Sequence, residues 1–103
     1  MRFPGCPLPK RLKAARERAG LSQKGLGVLA GIDEFVASPR INQYERGVHT
    51  PGYEMAQRRA HKLNVPIAYL YADSDAEAEL LLAFRELTER ERGRILRALE
   101  EGR

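Results

Sequence analysis

Apolar positions recur at helical spacing through most of the chain. Leu8, Leu12, Ala15 and Ala19 repeat every three or four residues, with Lys10, Arg11, Lys13, Arg16, Glu17 and Arg18 around the other faces. Gly20 stops that helix. Ser22 is a ready N-cap, and Gln23, Lys24, Leu26, Leu29 and Ala30 read as a short second helix ended by Gly31. Gly25 and Gly27 inside it each cost up to about 1 kcal/mol against Ala, so close packing of another helix must hold it. Ile32 to Ala37 shows no clear period. Ser38-Pro39 then has the form of an N-cap followed by a first helical residue, which predicts a third helix through Arg46, stopped by Gly47. Thr50-Pro51 repeats that signal before a fourth helix, with Tyr53, Ala56, Ala60 and Leu63 on one face and Asn64 as the stop. Pro66 starts a short fifth helix carrying Ile67 and Leu70.

Asp73-Ser74-Asp75 is a break. Beyond it Glu77, Leu80, Leu81, Phe84 and Leu87 predict a sixth helix, and Thr88-x-x-Glu91 has the capping-box form that opens a seventh, with Ile95, Leu96 and Leu99 on its apolar side. No strand-like alternation with hairpin chemistry occurs. The expected fold class is all-α, a five-helix domain over residues 1–72 with a C-terminal helical extension over residues 73–103. Pro4, Pro7 and Pro9 make the first nine residues an extended lead-in.

A chain of 103 residues is one domain's worth, and 43% apolar with 31% charged residues is an ordinary globular balance. Its longest charge-free stretch runs from Leu63 to Ala72, too short to span a bilayer, and its start lacks the apolar run of a secretory signal. A cytoplasmic location is expected. The net charge of +4 is unevenly spread. Residues 1–30 carry seven Lys/Arg against one Glu, and residues 66–103 carry nine acidic against six basic side chains. A basic front points to a polyanion partner, and an acidic back to something else.

Catalytic chemistry has little footing. Cys6 is the sole thiol, and nothing places His49 or His61 beside it as a base. Two histidines without a second cysteine do not make a zinc set. Asp73, Asp75 and Glu77 lack the glycine turn of a calcium loop and read as acids favoured by a helix N-terminus. Neither an enzyme nor a cofactor or metal is expected.

Leu21-Ser22-Gln23, a short helix to Ala30-Gly31, then Ile41-Asn42-Gln43-Tyr44-Glu45-Arg46-Gly47 followed by Pro51 form an ordered skeleton. It resembles the phage repressor/Cro-like, or Xre-type, helix-turn-helix family over about Leu8 to Tyr71. The resemblance implies a five-helix DNA-binding domain, with the third helix in the major groove of double-stranded DNA, acting as a homodimeric repressor. It implies that Gln23 and Lys24 meet phosphate near the start of the second helix. It further implies that Ser38, Arg40, Asn42 and Gln43 hold the reading positions, and that Arg46, His49 and Thr50 contact the backbone. The residue types suit these tasks: Arg forks onto guanine, and Asn or Gln onto adenine. The resemblance makes Glu45 a structural residue, while Ile41 and Tyr44 are read as core.

Two departures bear on that reading. Gly31 to Ile41 is about four residues longer than the family's spacing, so Asp33–Ala37 either extend the third helix, form a loop at the phosphates, or re-aim the helix. Arg59 stands where the family commonly has an apolar side chain. Its stem either runs along the core edge with the head in water, which is the expected reading, or carries the head to a phosphate. In the tail, Leu80, Leu81, Phe84, Ile95, Leu96 and Leu99 either form a dimerisation element or cap the five-helix core. The alternative function is an antitoxin- or adaptor-like module that grips a protein partner through the acidic C-terminal helices.

Overall fold

The computed structural model describes residues 5–102, and the start of the proline-rich lead-in lies outside them. The described residues form seven helices and no strand: α1 (Leu8–Arg18), α2 (Gln23–Leu29), α3 (Glu34–Glu45), α4 (Tyr53–Lys62), α5 (Ile67–Leu70), α6 (Asp75–Arg85) and α7 (Glu89–Glu101). The all-α expectation holds, and α1 starts one turn after Gly5, so Pro9 lies within the helix rather than in a lead-in. One core joins the first five helices. Leu8, Leu12 and Ala15 of α1 meet Leu26, Ile41 and Tyr44, closed from below by Ala56, Ala60, Leu63, Val65 and Leu70. α1 packs on α3 and α5, α2 on α3, and α5 on both α4 and α6.

The close α2–α3 packing depends on Gly27. A Cβ there would stand 2.6 Å from the Ala37 Cβ and 2.9 Å from its Cα. The glycine that weakens α2 in isolation is therefore what admits α3. Gly25, by contrast, meets only its own cap and Leu21.

The third helix does not begin at Ser38. Asp33 is its N-cap, its carboxylate accepting from the Phe35 N–H at 2.9 Å, and the helix runs on through Pro39. The longer spacing after Gly31 is thus an added N-terminal turn. A proline here leaves the Phe35 carbonyl without its usual donor four residues on, and burial of Ala37, Ile41 and Tyr44 on one side holds the two parts as one helix. The fourth helix also starts later than expected. Gly52, not Thr50, is its N-cap, Pro51 is buried, and Tyr53 faces solvent instead of the core.

Two arginines lie deeper than the sequence leads one to expect, Arg11 against its helical spacing and Arg59 against the expectation of a solvated head. Arg11 is buried, donating from Nε to the Ala72 carbonyl at 3.2 Å and from Nη1 to Asp75 at 2.9 Å, with Lys10 on the same carboxylate at 3.1 Å. This ties α1 to the first turn of α6. These hydrogen bonds hold the Asp75 carboxyl below the ordinary carboxylate range. Arg59 does not keep its head in water: the whole side chain is buried.

Only Ala78 of α6, and no residue of α7, is fully buried. The predicted Thr88–Glu91 capping box is present. Arg92 fixes the hairpin between them, donating to the Phe84 carbonyl at 3.0 Å and the Arg85 carbonyl at 2.7 Å while its guanidinium covers the Phe84 ring.

Candidate nucleic-acid interface

Helix α3 exposes one long face. With Ala37, Ile41 and Tyr44 turned inward, the 3.6-residue repeat puts Phe35, Pro39, Asn42, Gln43 and Arg46 on the opposite side. Phe35 is 84% exposed and lies in the added turn. Starting the helix at Ser38 hides this residue, since a phenylalanine in an aperiodic stretch has no face. Once Asp33 is taken as the cap, it falls on the same stripe as Asn42.

The seam between α2 and α3 is polar at one end. Arg16 of α1 forks onto Glu45, with Nε to Oε2 at 2.6 Å and Nη2 to Oε1 at 3.1 Å, and its Nη1 donates to the Leu21 carbonyl at 2.8 Å. The Glu45 side chain is only 3% exposed and that of Arg16 12%. The hydrogen bonds that Arg16 donates to Glu45 raise the Arg16 pKa. Gln23 joins it, donating from Nε2 to Glu45 Oε1 and to Asn42 Oδ1, both at 3.2 Å, and Ser38 Oγ reaches Gln23 Oε1 at 3.5 Å. Three of the residues singled out from sequence, Gln23, Ser38 and Asn42, therefore sit in one internal network that sets the rotation of α3 against α2. Ser38 is a member of its second turn, not its cap. Arg16, which orders the network, carried no signal beyond helical spacing.

A second group gathers after α3. Gly47 takes a left-handed conformation, φ 73°, which turns the chain so that the Val48 and His49 N–H groups both donate to the Gln43 carbonyl. That turn brings His49 and Thr50 beside Arg40, Gln43 and Tyr44, and the five line a cleft of about 380 Å³. Arg46 is exposed at the α3 C-cap, and Lys24 is exposed in the first turn of α2, whose Ser22 cap accepts from the Gly25 N–H. The nine residues thus fall into a seam, a cleft and two flanking cations. Among the described residues no group of side chains suits a metal ion.

The arrangement of α2, turn and α3 meets an independent comparison. A family model described as helix-turn-helix matches residues 12–70, more than half of the chain. The chain belongs to the Xre-type helix-turn-helix family. This helix-turn-helix protein is also similar to a solved structure, that of the transcriptional regulator BswR, at 49% identity and a TM-score of 0.87, over 90% of this chain and 92% of that one. No curated protein matches it. The match to BswR covers more of the chain than the helix-turn-helix segment alone. No described helix is long and apolar enough to cross a membrane.

The six apolar residues of the tail come together as well. Leu80, Leu81 and Phe84 of α6 and Ile95, Leu96 and Leu99 of α7 line a groove of about 220 Å³ with no polar surface. Leu81 also packs against the core, whereas Leu80, Leu96 and Leu99 are more than half exposed.

Proposed function

We propose that this protein is a sequence-specific transcriptional regulator of double-stranded DNA that reads the major groove with α3 and represses by occupying an operator. The observation that carries the reading is the exposed α3 face. Gln43 and Asn42 present amides suited to adenine, and Phe35 presents an apolar surface of the kind that meets a thymine methyl. Gln23 orients Asn42 rather than meeting a phosphate. Lys24, Arg46, His49 and Thr50 meet the flanking phosphates, and Arg40 stands between the two tasks. The basic N-terminal third steers the approach. BswR, with nearly the whole fold in common, is described as a transcriptional regulator, which supports the same role here.

The active form is a homodimer joined through the α6–α7 groove. Leaving this apolar face in water is unfavourable, and a second copy of the same face covers it by two-fold symmetry. The alternative of capping the five-helix core leaves Leu80, Leu96 and Leu99 with nothing to cover them.

Selection from a random duplex pool tests both parts. The expected product is a palindrome with half-sites about one helical turn apart, roughly 34 Å. Gln43→Ala should relax preference at one position per half-site, lowering discrimination by about 1–3 kcal/mol. Retention of DNA without any shared sequence defeats the reading. A stable complex with a separate small protein, lost on deleting residues 75–103 while DNA binding survives, would favour the adaptor role.

A further inference from the structure

Arg59 is the least explained group in the molecule. Its side chain is fully buried, and neither Nε, Nη1 nor Nη2 has a hydrogen-bond partner. A buried charge is ordinarily paired, because removing it from water costs far more than packing returns. Arg11, also buried, obeys that rule with Asp75 and Ala72, and the partly buried Arg16 has Glu45 and Leu21. What Arg59 has is Tyr44, whose ring centroid lies 5.6 Å from its guanidinium carbon and whose side chain offsets part of the cost of burial, while two cationic neighbours, Arg40 and Arg58, add to the positive field. Burial pushes its pKa down from the ordinary arginine value, and an arginine starts so high that it stays charged at neutral pH.

Tyr44 links this charge to the surface. Its ring meets the guanidinium, and it is one of the five residues that line the cleft, with Arg40, Gln43, His49 and Thr50. Every side chain around that cleft offers a donor or a positive charge, and none is a carboxylate. We propose that the cleft is a phosphate-binding subsite and that Arg59 is its buried charge, acting across Tyr44 on an anion seated between Arg40, His49 and Thr50. The ligand class is a phosphodiester of the DNA backbone. This deepens the DNA-binding reading and rests on it. A cation held behind the cleft acts through protein rather than water, so it is screened less by salt than the exposed Lys24 or Arg46. It is a positioning charge, not a contact.

The test replaces Arg59 by Met, close in shape and without charge, in the full chain. Affinity for the selected operator and for a random duplex should fall by the same factor, roughly tenfold. The ratio between them should stay unchanged, and stability against denaturant should stay level or rise. Arg59→Lys should retain most of the affinity. A neutral methylphosphonate scan of the operator supplies a readout that mere packing would not move. Wild-type protein should lose affinity at one phosphate per half-site, and Arg59→Met should be indifferent to that position. Wild-type affinity in Arg59→Met, a changed specificity ratio, or undiminished sensitivity in the scan would each overturn the proposal. Should Arg59→Met not fold, failure of Arg59→Lys to bind both duplexes like wild type overturns it too. Inorganic phosphate separates this inference from its foundation. Should wild-type protein bind no duplex, the functional reading falls; the subsite then stands only if phosphate shifts the His49 and Thr50 amide resonances in wild type and not in Arg59→Met.

Discussion

The α2–α3 seam and the α6–α7 groove are opposite kinds of surface in one small protein. At the seam, Gln23 and Asn42, both expected at DNA, are bonded to each other, and Gln23 also to Glu45, which Arg16 holds. At the groove, apolar side chains that ordinarily fill a core are packed edge to edge and left open. The seam is finished within one chain and holds a helix at a set rotation. The groove is left open within one chain, and the proposed dimer would finish it. On the proposed function, rigidity is invested where bases would be read, and incompleteness where copies would meet.

The contrast can be broken hardest at the seam. Glu45→Ala leaves Arg16 nearly buried without its carboxylate and should destabilise the fold by about 3 kcal/mol in denaturant titration. Replacing both, as Arg16→Met with Glu45→Leu, should recover much of that stability while DNA selectivity is lost. A loss below about 1 kcal/mol for the single change would mean that the pair does not hold the seam. The groove should respond the other way. Leu96 is 52% exposed, so Leu96→Glu should alter the stability of the isolated protomer by no more than about 0.5 kcal/mol. It should weaken dimerisation more than tenfold, seen in sedimentation as a shift to monomer. An unchanged dimer places the interface elsewhere.

The smallest effect lies where the two regions join. Asp75, with Lys10 and Arg11 as donors, has its pKa depressed in the folded state. Its contribution is present at neutral pH, above the ordinary carboxylate range, and is lost as pH falls through the depressed folded value. Asp75→Asn should therefore make stability less dependent on pH below about 4, and modestly, because the carboxylate is exposed. Identical acid titrations for the two proteins would show that the ion pairs do not bind the tail to the core.

Most element boundaries were legible because the residues that make them act locally. Gly20, Gly31, Gly47 and Asn64 all adopt the left-handed conformation that ends a helix, and Ser22 and Thr88 cap as their chemistry requires. The start of α3 was not, since two local signals compete there. Asp33 and Ser38-Pro39 are both good helix openers, and only the fit of Ala37 against Gly27 decides for the first. Of the candidate site, residue types along α3 were readable, but the grouping was not. His49 lies beside Gln43 through a turn, and Gln23 beside Asn42 through tertiary packing. Arg11 and Arg16 were the deepest omissions, and Arg59, noticed as a departure, lies deeper than a stem with its head in water. A charged residue at helical spacing reads as solvated, and nothing in one dimension reveals the carboxylate, or the tyrosine, waiting across the core.

The Arg11 strap has a mechanical consequence. It fastens α1, on which α3 packs, to the first turn of the hairpin on which the proposed dimer closes. On that proposal no slack tether intervenes between the part that would grip DNA and the part that would grip the twin. A pair built this way behaves as a calliper with its jaws locked, tolerant of what lies between two half-sites and intolerant of how far apart they are.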